Sequence, residues 1–232
     1  MQAARMLEPE WLDVLPHEDP RAVRSRRDLV RVNALMGNTR IVARELSRVN
    51  GLRSVAEIGA GDGSFMRAVL RRLGPREIDV HLIDRQPLGT VTADVFDWLS
   101  DPAGPHVDAI VANLFLHHFD AARVERMMTL IARRTRAFVA CEPRRSATAL
   151  AGARLLGVVG CNDVTRHDAV VSVRAGFAGR ELTALWPSHV IPAEPAPAVV
   201  KPGAGIQCGS EWKCEERAAG LFSHVFVARA NG

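Results

Sequence analysis

The stretch Glu57 to Ser64, EIGAGDGS, follows the apolar run Ser54–Ile58 and precedes SFMRAVLRRL, which has helical spacing. A short apolar strand, a glycine turn and a helix form a unit whose strand is buried on both faces, and this unit constrains the fold most. The pattern recurs along the chain. DVHLI (79–83), VDAIVAN (107–113) and AFVACE (137–142) read as buried parallel strands. The segment DAARVERMMTLIARR reads as a helix opened by a capping Asp120, as SFMRAVLRRL is opened at Ser64. Such alternation predicts an α/β, doubly wound sheet. Near the end, EWKCEER and LFSHVFVARA flank a short AAG turn and predict an antiparallel hairpin.

Two helical regions flank or interrupt this core. Glu8 to Val49 carries apolar residues at three- and four-residue steps, with Pro20 suited to a first turn and Gly37-Asn38 as a break. It predicts an N-terminal helical cap over residues 1–50, before a main domain over 51–232. A helical substrate insert is expected near 146–190, from ALAGARLLGVV and DAVVSVRAGFAGRELTALW, with breaks at Gly176 and Gly179. The Pro/Ala/Gly-rich run 191–205 reads as an irregular loop.

Composition narrows the class. A chain of 232 residues, 47% hydrophobic and 24% charged, suits one core with a small appendage. No uncharged apolar stretch of about 18 residues is present, so a membrane span is not expected. The N-terminus lacks the basic-then-apolar order of a signal peptide, and Cys141, Cys161, Cys208 and Cys214 form no C-x-x-C pair. These features predict a cytoplasmic protein without a structural metal. The net charge of +4 comes almost wholly from short arginine clusters such as Arg24 to Arg27 and Arg133 to Arg136. There is no tyrosine, and the few Phe and Trp do not interleave with the clusters, which argues against a nucleic-acid track.

The glycine turn is compressed relative to G-x-G-x-x-G, and Asp62 places a negative charge where a pyrophosphate would lie. Asp84, at the end of the second strand, is placed to accept from two ribose hydroxyls. Asp94 stands where a third strand should end and can accept from an adenine amine, with Val95 and Phe96 as an apolar wall.

With these residues the sequence resembles the class I S-adenosylmethionine-dependent methyltransferases. The resemblance runs through EIGAGDG, Asp84, the ADV of Asp94 and NLFLHHF (113–119), and covers Arg53 to Glu142. It implies a Rossmann-like, seven-stranded sheet with an antiparallel C-terminal hairpin. It also implies S-adenosyl-L-methionine as cofactor, held by Glu57, Gly59, Ala60, Gly61, Asp84, Asp94, Val95, Asn113 and Leu114. A narrower likeness, to small-molecule enzymes of polyketide and quinone type, rests on RSRRDLVRVNALMGN and LFLHHF. One departure stands out: ten positions separate Asp84 from Asp94, too few for a helix and a strand, so the usual second helix is expected to be absent.

Methyl transfer from a sulfonium needs alignment and, for a hydroxyl acceptor, removal of a proton. His117 or His118, at the end of the fourth strand, can serve as base, with Glu142 at the end of the fifth to orient it. His167 is a further candidate across the pocket. Met36, Met127 and Met128 read as core, while Asn33 and Arg27 stand either over the cofactor or on the surface. The expected function is O-methylation of an aromatic or polyketide-like small molecule. C-methylation of a quinone precursor, RNA or protein methylation, and non-catalytic cofactor binding are the alternatives; NLFL is not the Pro-Pro-aromatic run of amino-group methylation. A small-molecule acceptor is the expected partner, with a homodimer as one available assembly; neither nucleic acid nor a membrane is expected as a partner.

Overall fold

A computed structural model describes residues 4–88, 90–187 and 211–231, and the backbone of 206–207. The chain runs α1 (Trp11–Val14), α2 (Pro20–Met36), α3 (Asn38–Leu46), β1 (Ser54–Ile58), α4 (Ser64–Leu73), β2 (Asp79–Asp84), β3 (Val91–Thr92), α5 (Val95–Ser100) and β4 (Ala109–Asn113). It continues through α6 (Ala121–Ala132), β5 (Ala137–Pro143), α7 (Ala147–Arg154), α8 (Asp163–Ala175), α9 (Glu181–Leu185), β6 (Ile206–Gln207), β7 (Trp212–Ala219) and β8 (Ser223–Ala230).

The strands form one sheet in the order β3-β2-β1-β4-β5-β8-β7-β6. β1 to β5 are parallel, and β8 inserts antiparallel between β5 and β7. To the seven strands expected, the two-residue β6 adds an eighth at the outer edge, beside β7. Residues alternate between the two faces, as strand geometry requires. Ile58, Ile110, Phe138 and Phe226 pack against α5, α6 and α9 through Phe96, Met127, Met128 and Leu182. Val55, Val111, Val139 and Val227 pack on the other face against α3 and α4 through Leu46, Met66 and Val69. Met127 and Met128 are thus core residues. α3, read as part of a separate cap, is a layer of the main core.

Local chemistry sets the helix ends. Asp19 accepts from the Arg21 N–H ahead of Pro20, and Gly37, at φ 72°, ends α2 in the left-handed conformation that glycine tolerates. Asp120 caps α6 as expected, through the Arg123 N–H at 2.8 Å. At α4 the expected capping Ser64 is itself the capped residue: its N–H donates to Asp62 Oδ1 at 2.9 Å. Between β2 and β3 the described residues carry bends and turns, without the second helix. The loop 191–205 and Cys208 lie outside the described residues.

The arginine clusters are partly internal. Arg134 is buried and donates to the carbonyls of Leu99 and Trp98, and Arg136 pairs with Asp108 at 2.8 Å. No helix among the described residues is long and apolar enough to cross a membrane. α1, α2 and α7 each pack on α8, which lies against the end of β5, and there they shape the site.

Candidate active site

Strand order reverses between β1 and β4, whose neighbours lie on opposite sides, and open α/β sheets bind ligands at such a point. A cavity of about 240 Å³ lies there, walled by Glu57, Gly59, Ala60, Gly61, Asn113 and Leu114 with Asn33 and Arg26 of α2 opposite. Gly59 adopts φ 70°, and a Cβ on it would overlap Cδ2 of Phe115. Both facts require glycine. Gly59→Ala is therefore expected to cost about 1–3 kcal/mol in backbone strain alone and to close the turn, which chemical denaturation and ligand calorimetry would register together. Gly61, at φ 54°, faces open space instead. Its N–H donates to Asp84 Oδ2 at 2.8 Å, which ties the second-strand acid to the glycine turn.

Glu57 is wholly buried, and burial raises its carboxyl well above the ordinary range. Its Oε2 has no hydrogen-bond partner. A buried unpartnered carboxylate oxygen on a cavity wall fits a ligand that brings a donor, since leaving it unpaired costs free energy. Beside it, a hydrogen-bond network joins four elements, α2, α3, β4 and β8. Asn38 Nδ2 donates to Asn113 Oδ1 at 2.9 Å, Asn113 Nδ2 donates to Asn33 Oδ1 at 3.0 Å, and Ser223 Oγ donates to Asn38 Oδ1 at 2.7 Å. The break at Gly37-Asn38 is thereby anchored to the end of β4.

Leu114 follows with φ 53°, the one non-glycine residue in the left-handed region among those described. Strain of this kind persists where neighbours over-determine it. Here Glu142 does so: its Oε1 accepts from the N–H groups of Phe115 and Leu116 at 3.1 and 2.9 Å. Its Oε2 meets His117 Nδ1 at 2.8 Å. Glu142 stands behind His117, as the sequence predicted, and does not line the cavity.

The opposite edge of the imidazole meets a residue the sequence reading missed. Glu10, ahead of α1, places Oε1 3.3 Å from His117 Nε2 and also accepts from Ser172 Oγ. Arg5 holds this segment in place, donating to Ala175 O at 2.7 Å and Phe119 O at 3.0 Å. Burial alone would lower the His117 pKa, but hydrogen bonds and charge from Glu10 and Glu142 lift it to about 9. Burial disfavours the Glu10 carboxylate too, yet His117 holds it below the usual range. Donor atoms of Glu10, His117 and His118 lie within 4.8 Å of one another, close enough to meet on one cation. The arrangement present is the Glu10–His117 ion pair.

A second cavity, of about 320 Å³, adjoins the first and shares Glu10, Leu12, Leu29, Leu114 and Ser172 with it. Its other walls are mostly apolar, among them Val32, Met36, Leu156, Val173 and Phe222. Met36, read as core, lies on this wall.

Several expected positions fall elsewhere. Asp94 caps α5 through the Phe96 N–H at 2.8 Å, and Val95 is buried in the core, so neither lines the cavity. His118 reaches the cavity wall beside Asp13, with 3.4 Å between Nδ1 and Oδ2. His167 is not across the pocket. It stacks on Trp11 with ring centroids 3.9 Å apart, because the stripe of α8 facing the cavity is Asp168 and Ser172, four residues apart. Arg26 rather than Arg27 reaches the cavity.

The sheet order with its reversed β8 is a fold this chain shares with solved methyltransferase structures. Among solved structures, the plantazolicin methyltransferase BpumL in complex with SAH is similar at TM-score 0.64 and 10% identity, over 92% of each chain. The mitomycin 7-O-methyltransferase MmcR is similar at TM-score 0.56 and 19% identity, and an O-methyltransferase family protein from Burkholderia thailandensis at 0.57 and 16%. These two alignments cover 94% and 91% of this chain, which spans 60% of the length of each. No family profile and no curated protein sequence matches the chain.

Proposed function

We propose that the protein transfers a methyl group from S-adenosylmethionine to a hydroxyl of a small, largely apolar acceptor of aromatic or polyketide-like type. The observation that carries this reading is the meeting of two cavities at Glu10, Leu114 and Ser172, beside an imidazole braced by Glu142. The smaller cavity suits the cofactor. Glu57 would accept from its ammonium group, Gly59 to Gly61 would admit it against the backbone, and Asp84 would accept from the ribose hydroxyls. Asn113 and Leu114 would wall it. The larger, apolar cavity suits the acceptor.

The cofactor supplies an activated methyl group; the chain supplies orientation and proton removal. His117, fixed by Glu142 at Nδ1, presents Nε2 at the junction of the cavities, where it takes the hydroxyl proton in its neutral form. His118 and Glu10 flank that path. The likeness to the mitomycin 7-O-methyltransferase and to the plantazolicin enzyme with SAH bound supports the same reading. Arg134 and Arg136 are used internally, a small-molecule acceptor is the partner this reading requires, and a cytoplasmic location goes with the proposal.

Calorimetry tests it. S-adenosylhomocysteine is expected to bind, and Asp84→Ala to weaken binding by about 1.5–3 kcal/mol through loss of hydrogen bonds to a charged group. Binding of NAD with none of S-adenosylhomocysteine overturns the reading.

A further inference from the structure

The larger cavity opens onto a surface that solvent alone explains poorly. Leu35 of α2 and Leu155, Val158 and Val159 of the turns after α7 are exposed by 60%, 63%, 84% and 51%. Leu35, Leu155 and Val159 also line the cavity, so the patch is its rim. Isolated exposed aliphatics are ordinary, but a cluster around a cavity mouth marks a contact surface.

Arginines ring this rim. Arg24 donates to Gly160 O at 3.2 Å, Arg166 lies against Gly157, and Arg154 immediately precedes Leu155. Arg31 shares the α2 face with Arg24, and both act on Cys161. Two acids are near. Asp28 is buried and paired with Arg31 at 3.4 Å, and the exposed Asp163 acts on Arg21. Of the four arginines, Arg31 alone has an ion pair among the described residues.

We propose that the rim formed by Leu35, Leu155, Val158 and Val159, with Arg24, Arg31, Arg154 and Arg166 around it, docks on an anionic lipid surface from which a membrane-dissolved acceptor enters the cavity. Aliphatic side chains enter the interfacial layer while arginines meet lipid phosphates, each near-surface charge contributing about fivefold in affinity. A second copy of the chain fits less well. Two-fold pairing through this patch would set one arginine ring against another. The acceptor half of the inference rests on the proposed methyl transfer; the docking half does not.

Sedimentation with vesicles of phosphatidylcholine, alone or mixed with phosphatidylglycerol, tests it. Binding is expected on the mixed vesicles only, and to fall as salt rises. Val158→Asp and Arg154→Ser/Arg166→Ser are each expected to weaken it about tenfold or more, with S-adenosylhomocysteine affinity unchanged, since these residues line neither cavity. Absence of binding to anionic vesicles, or binding insensitive to both variants, overturns the proposal. So does a dimer in analytical ultracentrifugation that Val158→Asp dissociates, which would assign the patch to self-association. A wild-type protein that binds vesicles but not S-adenosylhomocysteine would sink the methyl-transfer reading and leave the docking surface standing.

Discussion

His117→Ala is expected to lower turnover of a phenolic acceptor by about 10² to 10⁴, the usual worth of general-base assistance. Affinity for S-adenosylhomocysteine should stay within about threefold, because removing a base leaves the cofactor's hydrogen bonds in place. The pH profile is the decisive readout. His117 carries its proton up to about pH 9, so the wild-type kcat/KM should climb toward that pH as the neutral imidazole accumulates. The variant should lose this climb and approach the wild type only where the phenol ionises unaided, near pH 10. The same shift has a stability consequence. A histidine whose folded pKa is raised stabilises the fold fully below its ordinary value of 6.5, and that contribution is lost as pH rises through about 9. The Glu10–His117–Glu142 contact therefore weakens over the range in which the base becomes available. Lost cofactor affinity with an unchanged pH profile would make His117 structural and leave proton removal to His118 or solvent.

Glu57→Gln is expected to act in opposite directions on stability and binding. The substitution keeps an acceptor for the Met66 backbone but removes a negative charge from a fully buried position with one unpartnered oxygen. The ligand-free protein should gain about 1–3 kcal/mol, raising Tm by about 2–4 °C per kcal/mol for a chain of this size. Sign follows from the raised pKa: the folded state favours the protonated acid, so the charge destabilises increasingly as pH rises above 4.5. The gain should accordingly be larger at pH 8 than at pH 5. Binding should weaken about tenfold or more, since the neutral amide loses the charged hydrogen bond to the ligand's ammonium. Thermal unfolding and calorimetry on the same sample decide it; a variant equal to wild type in both would remove Glu57 from the site.

Strands and helix ends were legible because they follow from local periodicity and short-range chemistry. The apolar runs at Ser54–Ile58 and Ala137–Pro143 have no alternative to two-sided burial, and Pro20 and Gly37 mark where a helix begins and ends. The pairing of His117 with Glu142 was also within reach, since adjacent parallel strands bring their carboxyl ends together. Asp94 shows the limit. An acid two residues before an N–H at a helix start satisfies the same pattern whether it meets a ligand or caps α5, and here its Oδ1 does the capping. His167 shows another: a helix turns about 100° per residue, so one step in phase decides whether His167 or Asp168 faces the cavity.

By itself the sequence determined the elements, their alternation into a doubly wound sheet, the glycine turn at the switch point and the imidazole–carboxylate pair, all of which depend on neighbours in the chain or in the sheet. Tertiary structure alone decided what closes over them. Glu10 meets His117 only because Arg5 pins its segment to carbonyls of Phe119 and Ala175, and Ser172 joins them because α8 lies across the strand ends. α3 became part of the core through Val42, Ala43 and Leu46. The exposed apolar rim is assembled from α2 and the turns after α7. Periodicity states which face of a helix is apolar; which surface that face meets is set by the packing of all the others, and a single segment contains no record of it.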